Sequence, residues 1–449
     1  MSDPAREQWS SQRAFLLAAI GSAVGLGNIW RFPYITGING GGAFVLVYCA
    51  CIAVIGVPLL MAEMAIGRRG GRSPVGTMRN LSKEHGGSRF WEAVGWQAVL
   101  APTVGLMYYA VVAGWTMDYA FSALSGAFEG ITDADGAGAL FGALTSDIPR
   151  MMVGHAIFIG VTIMIVAAGI QKGLEPAVKF LMPSLAVILL VLVVYSALTA
   201  DFVGGLAFLF KPDFYKLTPT VVLMAIGQAF FSVGVAVGSF ITYSAYMPKN
   251  ISIPRMAATV AAADTAVALL VGLVIFPLVL TYGLEPGEGP GLVFVTLPIA
   301  FAQMPAGAIF GALFFVLMAI AAVTSAISML EPPVSWLVEH YGIRRRPAAI
   351  GAGAFMWLLG LPVLLSFNVL ADFRPIAEKN MFELMDFFTA NLVIPAGGFL
   401  IAVYGGWIFS KDSLREELGL PEGFWFDALR FVMRFVAPVA IALVFLTAL

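Results

Sequence analysis

Asp264 is a carboxylate in the middle of the apolar run AAADTAVALL, residues 261–270. An acid in such a run is costly unless it is paired or lies near a cation. We interpret Asp264 as an ion ligand or a charge balancer, with a protonated structural acid as the alternative. The elements that position this side chain must therefore be apolar and must still offer polar partners.

Two interruptions in apolar segments could supply such partners. The stretch GSAVGLGNIWRFPY, residues 21–34, places three glycines, Asn28 and Arg31 within an apolar run, and SVGVAVGS at 232–239 is a similar interruption five spans later. Glycines let a helix unwind and offer carbonyl oxygens to an ion, and non-helical backbone at membrane depth is tolerated where it lines a cavity. Matched interruptions in two halves are typical of secondary transporters with inverted repeats. Close helix packing at the glycines is the alternative.

The composition places these segments in a membrane. Hydrophobic residues make up 60% of the chain and charged residues 12%, and the mean hydropathy is +0.90. A soluble globular protein does not need this much apolar surface, and apolar stretches of about 20 residues recur along the chain, each sufficient to cross a bilayer. The sequence predicts eleven spans, at residues 12–37, 41–67, 90–123, 151–170, 176–199, 217–247, 257–283, 307–338, 348–370, 384–410 and 424–449.

The distribution of charge predicts the orientation of these spans. Lys and Arg collect in residues 67–89 and in IRRRP at 343–347, whereas 125–147 and 281–291 are acidic or neutral. The positive-inside rule then predicts a cytoplasmic N-terminus and, with eleven spans, an external C-terminus. The lack of a long regulatory terminus fits a prokaryotic inner (cell) membrane.

The sequence does not favour an enzyme or a nucleic-acid-binding protein. It contains no G-x-S-x-G, H-E-x-x-H or G-K-[ST] motif, and His85, His155 and His340 lie far apart. Cys49 and Cys51 stand in an apolar run and are interpreted as packing residues. No long run of like charge indicates a nucleic-acid partner.

Several further motifs accompany the first interruption. They are NGGGAF at 39–44, GVPLLMAEMAIGR at 56–68, YYAVVAGW at 108–115, QAFFSVGVAVGSFITYSAY at 228–246 and VTSAISMLEP at 323–332. In these motifs, and over nearly its whole length, the chain resembles the neurotransmitter:sodium symporter family. The resemblance implies an all-α polytopic membrane protein with the leucine-transporter (LeuT) fold, a 5+5 inverted repeat with broken helices 1 and 6. It also implies sodium-coupled symport by alternating access.

The resemblance divides the chain as one transmembrane transporter domain, 1–449. The first inverted repeat is expected at 12–199 with helices 1–5, the second at 217–410 with helices 6–10, and helix 11 at 424–449. The expected partners are the lipid bilayer and a small hydrophobic amino acid, and a homodimer stays open.

The resemblance implies two sodium sites. The first comprises Ala23, Asn28, Ser232 and Asp264, and the second comprises Gly21, Val24, Ala321, Thr324 and Ser325. Sodium is a hard cation that prefers oxygen ligands, and the last three residues share one helical face through their i, i+3, i+4 spacing. The alternative is that these two hydroxyls bond to their own helix backbone.

Two positions predict transport without chloride. Many members of the family carry Asn where this chain has Asp264, and chloride-dependent relatives carry Ser at the position of Ala268. The carboxylate would supply the negative charge that chloride supplies elsewhere. Since Asp264 could also titrate, proton-coupled amino-acid transport is an alternative, and a non-transporting amino-acid sensor is another.

The substrate site is implied by the same resemblance. Tyr109 matches the tyrosine that meets the substrate carboxylate, and amine-transporting relatives carry Asp at the position of Gly25, so we expect an amino acid. Gly105, Gly234 and Val237 predict room for a large hydrophobic or aromatic side chain. The implied substrate-binding residues are Ser22, Ala23, Gly25, Leu26, Gly27, Gly105, Tyr109, Phe231, Ser232, Gly234, Val237, Ser325 and Met329.

Two gates are implied as well. At the outer gate Arg31 would pair with Asp386, with Phe231 as an aromatic lid. The implied inner-gate residues are Arg6, Glu339, Tyr246 and Trp9.

Two further features concern the mobility of the scaffold. Glu63 is expected to brace the unwound first helix. The resemblance implies that the fifth span, which carries Gly173 and Pro183, unwinds on the inside, and a rigid proline kink is the alternative.

Overall fold

The computed structural model describes residues 7–284 and 291–448, and within these ranges it contains helices and no β-strand. Its α-helices in the first half are α1 Gln12–Ala23, α2 Phe32–Ile38, α3 Gly42–Cys51, α4 Val57–Gly70, α5 Pro74–Glu84, α6 Glu92–Leu124, α7 Ala134–Ser146, α8 Ile148–Ala167, α9 Glu175–Thr199 and α10 Phe202–Phe210. Those in the second half are α11 Pro219–Ser232, α12 Ser239–Ser244, α13 Ile253–Thr281, α14 Leu297–Gln303, α15 Gly307–Tyr341, α16 Arg345–Leu365, α17 Met381–Phe387, α18 Ile394–Val403, α19 Lys411–Leu418, α20 Phe424–Phe431 and α21 Ala437–Ala448.

Wider π-helical turns extend or join several of these helices. They are Gly27–Arg31, Ile52–Gly56, Ile170–Leu174, Leu292–Thr296, Phe388–Val393, Tyr404–Ile408 and Val432–Val436. Short 3₁₀ turns occur at Arg89–Trp91 and Phe214–Lys216.

Most of the predicted spans are continuous helices. Nine helices in the described ranges are long and apolar enough to cross a membrane: Gly42–Gly70, Arg89–Leu124, Ile148–Ala167, Ile170–Thr199, Ile253–Thr281, Gly307–Tyr341, Arg345–Leu365, Met381–Ile408 and Phe424–Thr447. The other two predicted spans, the first and the sixth, are each divided into two helices.

The first span bends because its backbone leaves the helix after Ala23. Helix α1 begins at the N-cap Ser11, whose side chain accepts a hydrogen bond from the Ala14 amide, and it ends where Val24 adopts an extended conformation. The helices on either side, Gln12–Ala23 and Gly27–Ile38, meet at 52°. The glycine-rich sequence therefore forms a true interruption, as the sequence predicts.

The sixth span is interrupted between Ser232 and Ser239. Gly234 and Gly238 have φ angles of 70° and 92°, and Ala236 has a φ of 66°. Glycine adopts this left-handed region without a steric penalty, whereas alanine is strained there. The prediction of an all-helical membrane protein with the first and sixth spans broken is confirmed.

The fifth span is an unbroken helix in this conformation. It runs from Ile170 to Thr199, beginning six residues before the predicted start, and α9 continues through Pro183. The backbone turn lies before the span, at Gly169 with a φ of 95°.

Several helices outside the spans were not predicted. They are α5, α7, α10, α14 and α19, which lie in the predicted loops. Short amphipathic or mixed segments carry a weak periodic signal beside the strong apolar runs of the spans. These helices pack against the spans: α5 on α6 and α4, α10 on α13 and α3, α14 on α15, and α19 on α4.

The long helices α6 and α15 pack against each other near the broken helices. Helix α1 contacts α15, α9 and α13, and α12 contacts α4 and α15. This arrangement brings both backbone breaks to the same interior region, where non-helical backbone can be shielded from lipid.

Candidate functional site

A cavity of about 110 Å³ lies between the two breaks, α6 and α15. All thirteen residues that the sequence implies for substrate binding line it: Ser22, Ala23, Gly25, Leu26, Gly27, Gly105, Tyr109, Phe231, Ser232, Gly234, Val237, Ser325 and Met329. Its lining contains no Asp, Glu, Lys or Arg side chain. The cavity is thus apolar with backbone and hydroxyl groups at defined places, as small-molecule sites are.

The hydroxyl of Tyr109 is the polar group that most needs a ligand. It is buried beside the Ser325 side chain and the Leu26 backbone, and neither makes a hydrogen bond of good geometry with it. A Cβ added at Gly25 would lie 3.4 Å from this hydroxyl and 2.8 Å from Ser325 Oγ. The absence of a side chain at Gly25 therefore keeps open the space that Tyr109 faces, and a buried unpaired hydroxyl is costly unless a bound group satisfies it.

The small residues of the cavity do not all create empty space. A Cβ at Gly105 would lie 2.7 Å from the Met329 methyl carbon, so Met329 fills the room that Gly105 leaves. A Cβ at Gly234 would meet its nearest neighbour at 3.8 Å, and the positive φ there also requires glycine. Because methionine is flexible, its side chain can move to admit a larger substrate.

The residues implied for the first sodium site form one buried cluster. The Asp264 carboxylate accepts hydrogen bonds from Asn28 Nδ2 at 2.7 Å and from Ser232 Oγ at 2.6 Å. Asn28 Oδ1 accepts from the Gly25 amide at 3.0 Å, and Ser232 Oγ lies 2.9 Å from the Tyr48 hydroxyl. These side chains are at most 2% exposed.

This cluster fits a small cation. The described basic side chains form no ion pair with Asp264, so its negative charge has no fixed counter-charge. The carboxylate and hydroxyl oxygens of the cluster are ligands that a hard cation prefers, and the Asn28 amide directs its nitrogen to Asp264 and its oxygen to the Gly25 amide. Ala23, the last residue of α1, lines the adjacent cavity.

The residues implied for the second sodium site also meet. Ser325 Oγ lies 3.4 Å from the Gly21 carbonyl oxygen and 3.1 Å from the Val24 carbonyl oxygen. Thr324 Oγ1 donates to the Ala321 carbonyl at 3.0 Å. Carbonyl and hydroxyl oxygens from α1 and α15 are therefore gathered where the first helix ends. The set is neutral and again fits a hard cation.

The break in the sixth span is held by two buried side chains. Glu63 Oε1 accepts a hydrogen bond from the Ala236 amide at 3.1 Å, and Gln97 Nε2 donates to the Ala236 carbonyl at 2.7 Å. The hydrogen-bond partner of Glu63 is therefore in the sixth span, whereas we expected the first. Both polar groups of a strained residue are satisfied in this way, which is how such strain persists.

The outer-gate residues adopt a different arrangement from an ion pair. The guanidinium carbon of Arg31 lies 4.0 Å from the centroid of the Phe231 ring. Among the described side chains Arg31 and Asp386 form no ion pair, although Asp386 interacts electrostatically with Arg31 and Tyr108. The charge of Arg31 is stabilised over the aromatic face, and the gate role of the pair stays a prediction.

The inner-gate region is partly described. Arg6 lies outside the described residues. Trp9 is buried, and its indole N–H donates to the Tyr243 carbonyl at 2.9 Å while its amide donates to the Tyr246 carbonyl at 3.2 Å. Glu339 accepts from the Ser73 amide at 2.7 Å. These contacts tie the N-terminal segment to the end of α12.

Comparison with known proteins identifies the family. The family model described as the sodium:neurotransmitter symporter family matches residues 6–130 and 145–449. The chain belongs to the sodium:neurotransmitter symporter family. The chain is therefore a sodium-dependent secondary transporter and not an enzyme.

Individual relatives agree with this family. An uncharacterized sodium-dependent transporter, YhdH of Bacillus subtilis (strain 168), is 37% identical, covering 99% of this chain and 98% of that protein. An uncharacterized sodium-dependent transporter of Haemophilus influenzae is 33% identical, with 98% of both chains covered. The crystal structure of MhsT in complex with L-phenylalanine matches with a TM-score of 0.89 and 42% identity, covering 99% of this chain and 100% of that one.

Sequence reasoning missed several residues of this family member. Glu331, in the C-terminal third of α15, accepts from the Tyr246 hydroxyl at 2.9 Å and forms an ion pair with Arg345. An acid within the VTSAISMLEP motif and the basic IRRRP segment were the available signals. The cavity is also lined by Ala101, Tyr108, Val235, Ser239, Ser328, Thr389 and Ile394. Of these, Ser328 could have been found because it lies three residues after Ser325, on the same face of the helix.

Proposed function

We propose that the transporter is a symporter that imports hydrophobic L-amino acids, aromatic ones included, with sodium and without chloride. The buried hydroxyl of Tyr109, which faces the cavity beside Gly25 and has no well-formed hydrogen bond, carries this proposal. That hydroxyl and the amides at the break after α1 would bind the substrate carboxylate, because helix N-termini and free N–H groups stabilise anions. The cavity holds no acid that could replace the carboxylate of an amino acid.

The remaining substrate groups would be met by the same lining. Carbonyl groups at the two breaks would accept hydrogen bonds from the α-ammonium group. The apolar wall of Phe231, Val237 and Met329 would contact the side chain. Support for an aromatic substrate comes from MhsT, which is similar over its whole length and was crystallised with L-phenylalanine.

Two sodium sites are proposed as the coupling device. A cation beside Asp264 would balance the buried charge and lie next to the substrate cavity, since Asn28 and Ser232 line both. A second cation among Gly21, Val24 and Ser325 would hold α1 against α15. Its loss would free α1 to open the inner side.

Chloride independence follows from the chemistry of the first cluster. The Asp264 carboxylate accepts two side-chain hydrogen bonds and supplies a fixed negative charge. A chloride ion at this place would be repelled by that charge, and Ala268 offers no hydroxyl to hold it.

We further propose a multi-pass protein of the cell (inner) membrane with a cytoplasmic N-terminus and an external C-terminus. The repeats are proposed at 12–199 and 217–410, followed by helix 11 at 424–449. During alternating access, opening toward the inner side would occur at the contacts between the N-terminal segment and α12.

Uptake into proteoliposomes tests the proposal. Labelled L-phenylalanine, L-tryptophan and L-leucine are supplied under an inward sodium gradient, and parallel samples receive potassium or have chloride replaced by gluconate. We expect uptake that requires sodium and does not change without chloride. Uptake that collapses in gluconate would exclude chloride independence, and failure to transport despite sodium-dependent binding would indicate a sensor.

Proton coupling is the second candidate because Asp264 has no basic partner among the described residues. A proton could neutralise it where sodium otherwise would. Uptake driven by a proton gradient in sodium-free buffer would establish this alternative.

A further inference from the structure

A basic and aromatic crevice lies on the surface, outside the central cavity. We call it the α5–α6 crevice, and it has a volume of about 590 Å³. It is lined by Arg79, Arg89, Phe90, Glu92, Ala93 and Trp96. It lies at the same end of the bundle as the N-terminal segment, because Trp96 packs on Trp336 of α15, close to the Glu331 that contacts Tyr246.

The crevice is placed at the level of lipid headgroups. The helical segment Arg89–Leu124 has 36 residues, or roughly 54 Å of helix, which exceeds a hydrocarbon core of about 30 Å. Its first residues therefore lie at the membrane–water boundary. Phe90 is 61% exposed and Trp96 is 45% exposed, and exposed aromatic side chains are typical of this boundary.

Some guanidinium N–H donors in the crevice have no hydrogen-bond partner among the described residues. Arg79 directs Nε and Nη2 to the same Glu92 oxygen at 3.2 and 3.1 Å, so its Nη1 has no partner among the described residues. Arg89 forms no ion pair or side-chain hydrogen bond with a described residue and is exposed. With two guanidinium groups and one carboxylate, the lining of the crevice has an excess of one positive charge. A planar guanidinium matches the oxygens of a phosphate group.

We propose that the α5–α6 crevice binds the headgroup of an anionic phospholipid such as phosphatidylglycerol. The phosphate would accept hydrogen bonds from Arg89 and from the free edge of Arg79, and the acyl chains would cover Phe90 and Trp96. Exposed aromatic rings beside the arginines favour a lipid over a free phosphate ion, which would leave these rings uncovered. The inference requires a membrane-inserted chain and does not depend on the transported substrate.

Lipid binding to the full-length protein in detergent tests this assignment by native mass spectrometry. Dioleoyl phosphatidylglycerol is compared with dioleoyl phosphatidylcholine, and glycerol phosphate is added in a competing arm. Arg89→Gln is compared with Arg13→Gln, because Arg13 is also exposed at the start of the first span but lies outside the crevice. Thermal unfolding shows whether each variant is folded. If Arg89→Gln is not folded, Arg89→Lys is tested in its place.

We expect phosphatidylglycerol to bind more tightly than phosphatidylcholine, and Arg89→Gln to weaken phosphatidylglycerol binding about fivefold. Arg13→Gln should leave it unchanged. Equal binding of the two lipids, or equal effects of the two variants, would overturn the proposal. Displacement by glycerol phosphate at lipid-equivalent concentrations would show a free-phosphate site and would also overturn it.

Discussion

Glu63 accepts a hydrogen bond from the amide of Ala236 at 3.1 Å, and the two residues lie 173 positions apart in the chain. Helix α4 thereby fixes the strained backbone of the sixth span, where Ala236 has a φ of 66°. The break that shapes the central cavity is therefore maintained by a residue that does not line it.

This contact predicts a difference between two substitutions of Glu63. Glu63→Ala leaves the buried amide of Ala236 unpaired, at a cost of about 1–3 kcal/mol, and should lower the thermal unfolding temperature in detergent. Glu63→Gln keeps an oxygen acceptor and should lower the unfolding temperature less. Equal losses for the two variants would show that the hydrogen bond is not what matters at this position.

Tyr109→Phe should weaken the binding of L-phenylalanine. Removing a hydroxyl that bonds to a carboxylate costs about 1–3 kcal/mol, or about 5- to 150-fold in the dissociation constant. The control is Tyr119→Phe on the same helix, whose hydroxyl bonds to the Phe294 carbonyl away from the cavity. Isothermal titration calorimetry measures both variants.

The ligand itself provides a second control for Tyr109. L-phenylalanine amide lacks the carboxylate, so wild type and Tyr109→Phe should bind it with similar affinity. If Tyr109→Phe lowered the affinity for the amide as much as the affinity for L-phenylalanine, Tyr109 would contact another part of the substrate.

Asp264→Asn should raise the sodium concentration needed for half-maximal uptake at least tenfold, about 1.4 kcal/mol. The variant removes the charge that would balance a cation but keeps a side chain of similar size. Thr259→Val is the control on the same helix, because the Thr259 hydroxyl bonds to the Arg255 carbonyl of its own helix, away from this cluster. An unchanged sodium requirement together with altered pH dependence would favour proton coupling.

Gly105→Leu should reduce uptake of aromatic amino acids more than uptake of smaller ones. The added side chain would enter the space of Met329, whose methyl carbon is 2.7 Å from the position of a Cβ at Gly105. Competition between labelled L-tryptophan and L-leucine measures the preference. The control is Gly160→Leu, at a glycine with no atom near its Cβ position. The same change of preference in that variant would contradict an effect on the cavity.

The sequence by itself determined the membrane class, the spans and the two interruptions. Apolar length is a local property of the chain, so the run around Asp264 and the glycines at 21–27 could be interpreted without knowledge of their neighbours. The resemblance carried by the motifs also supplied thirteen residues of the cavity, all of which line one space in the structure.

Tertiary structure decided which side chains meet. Ser22 bonds to Ser328 across 306 positions, Glu63 reaches Ala236 rather than the first helix, and Glu331 joins Tyr246 to Arg345. Hydropathy does not specify which helix faces adjoin, because lipid and protein interior are similarly apolar. Packing of particular surfaces selects these pairs, and the amide and carbonyl of Ala236 in the sixth-span break are then satisfied by residues distant in the chain.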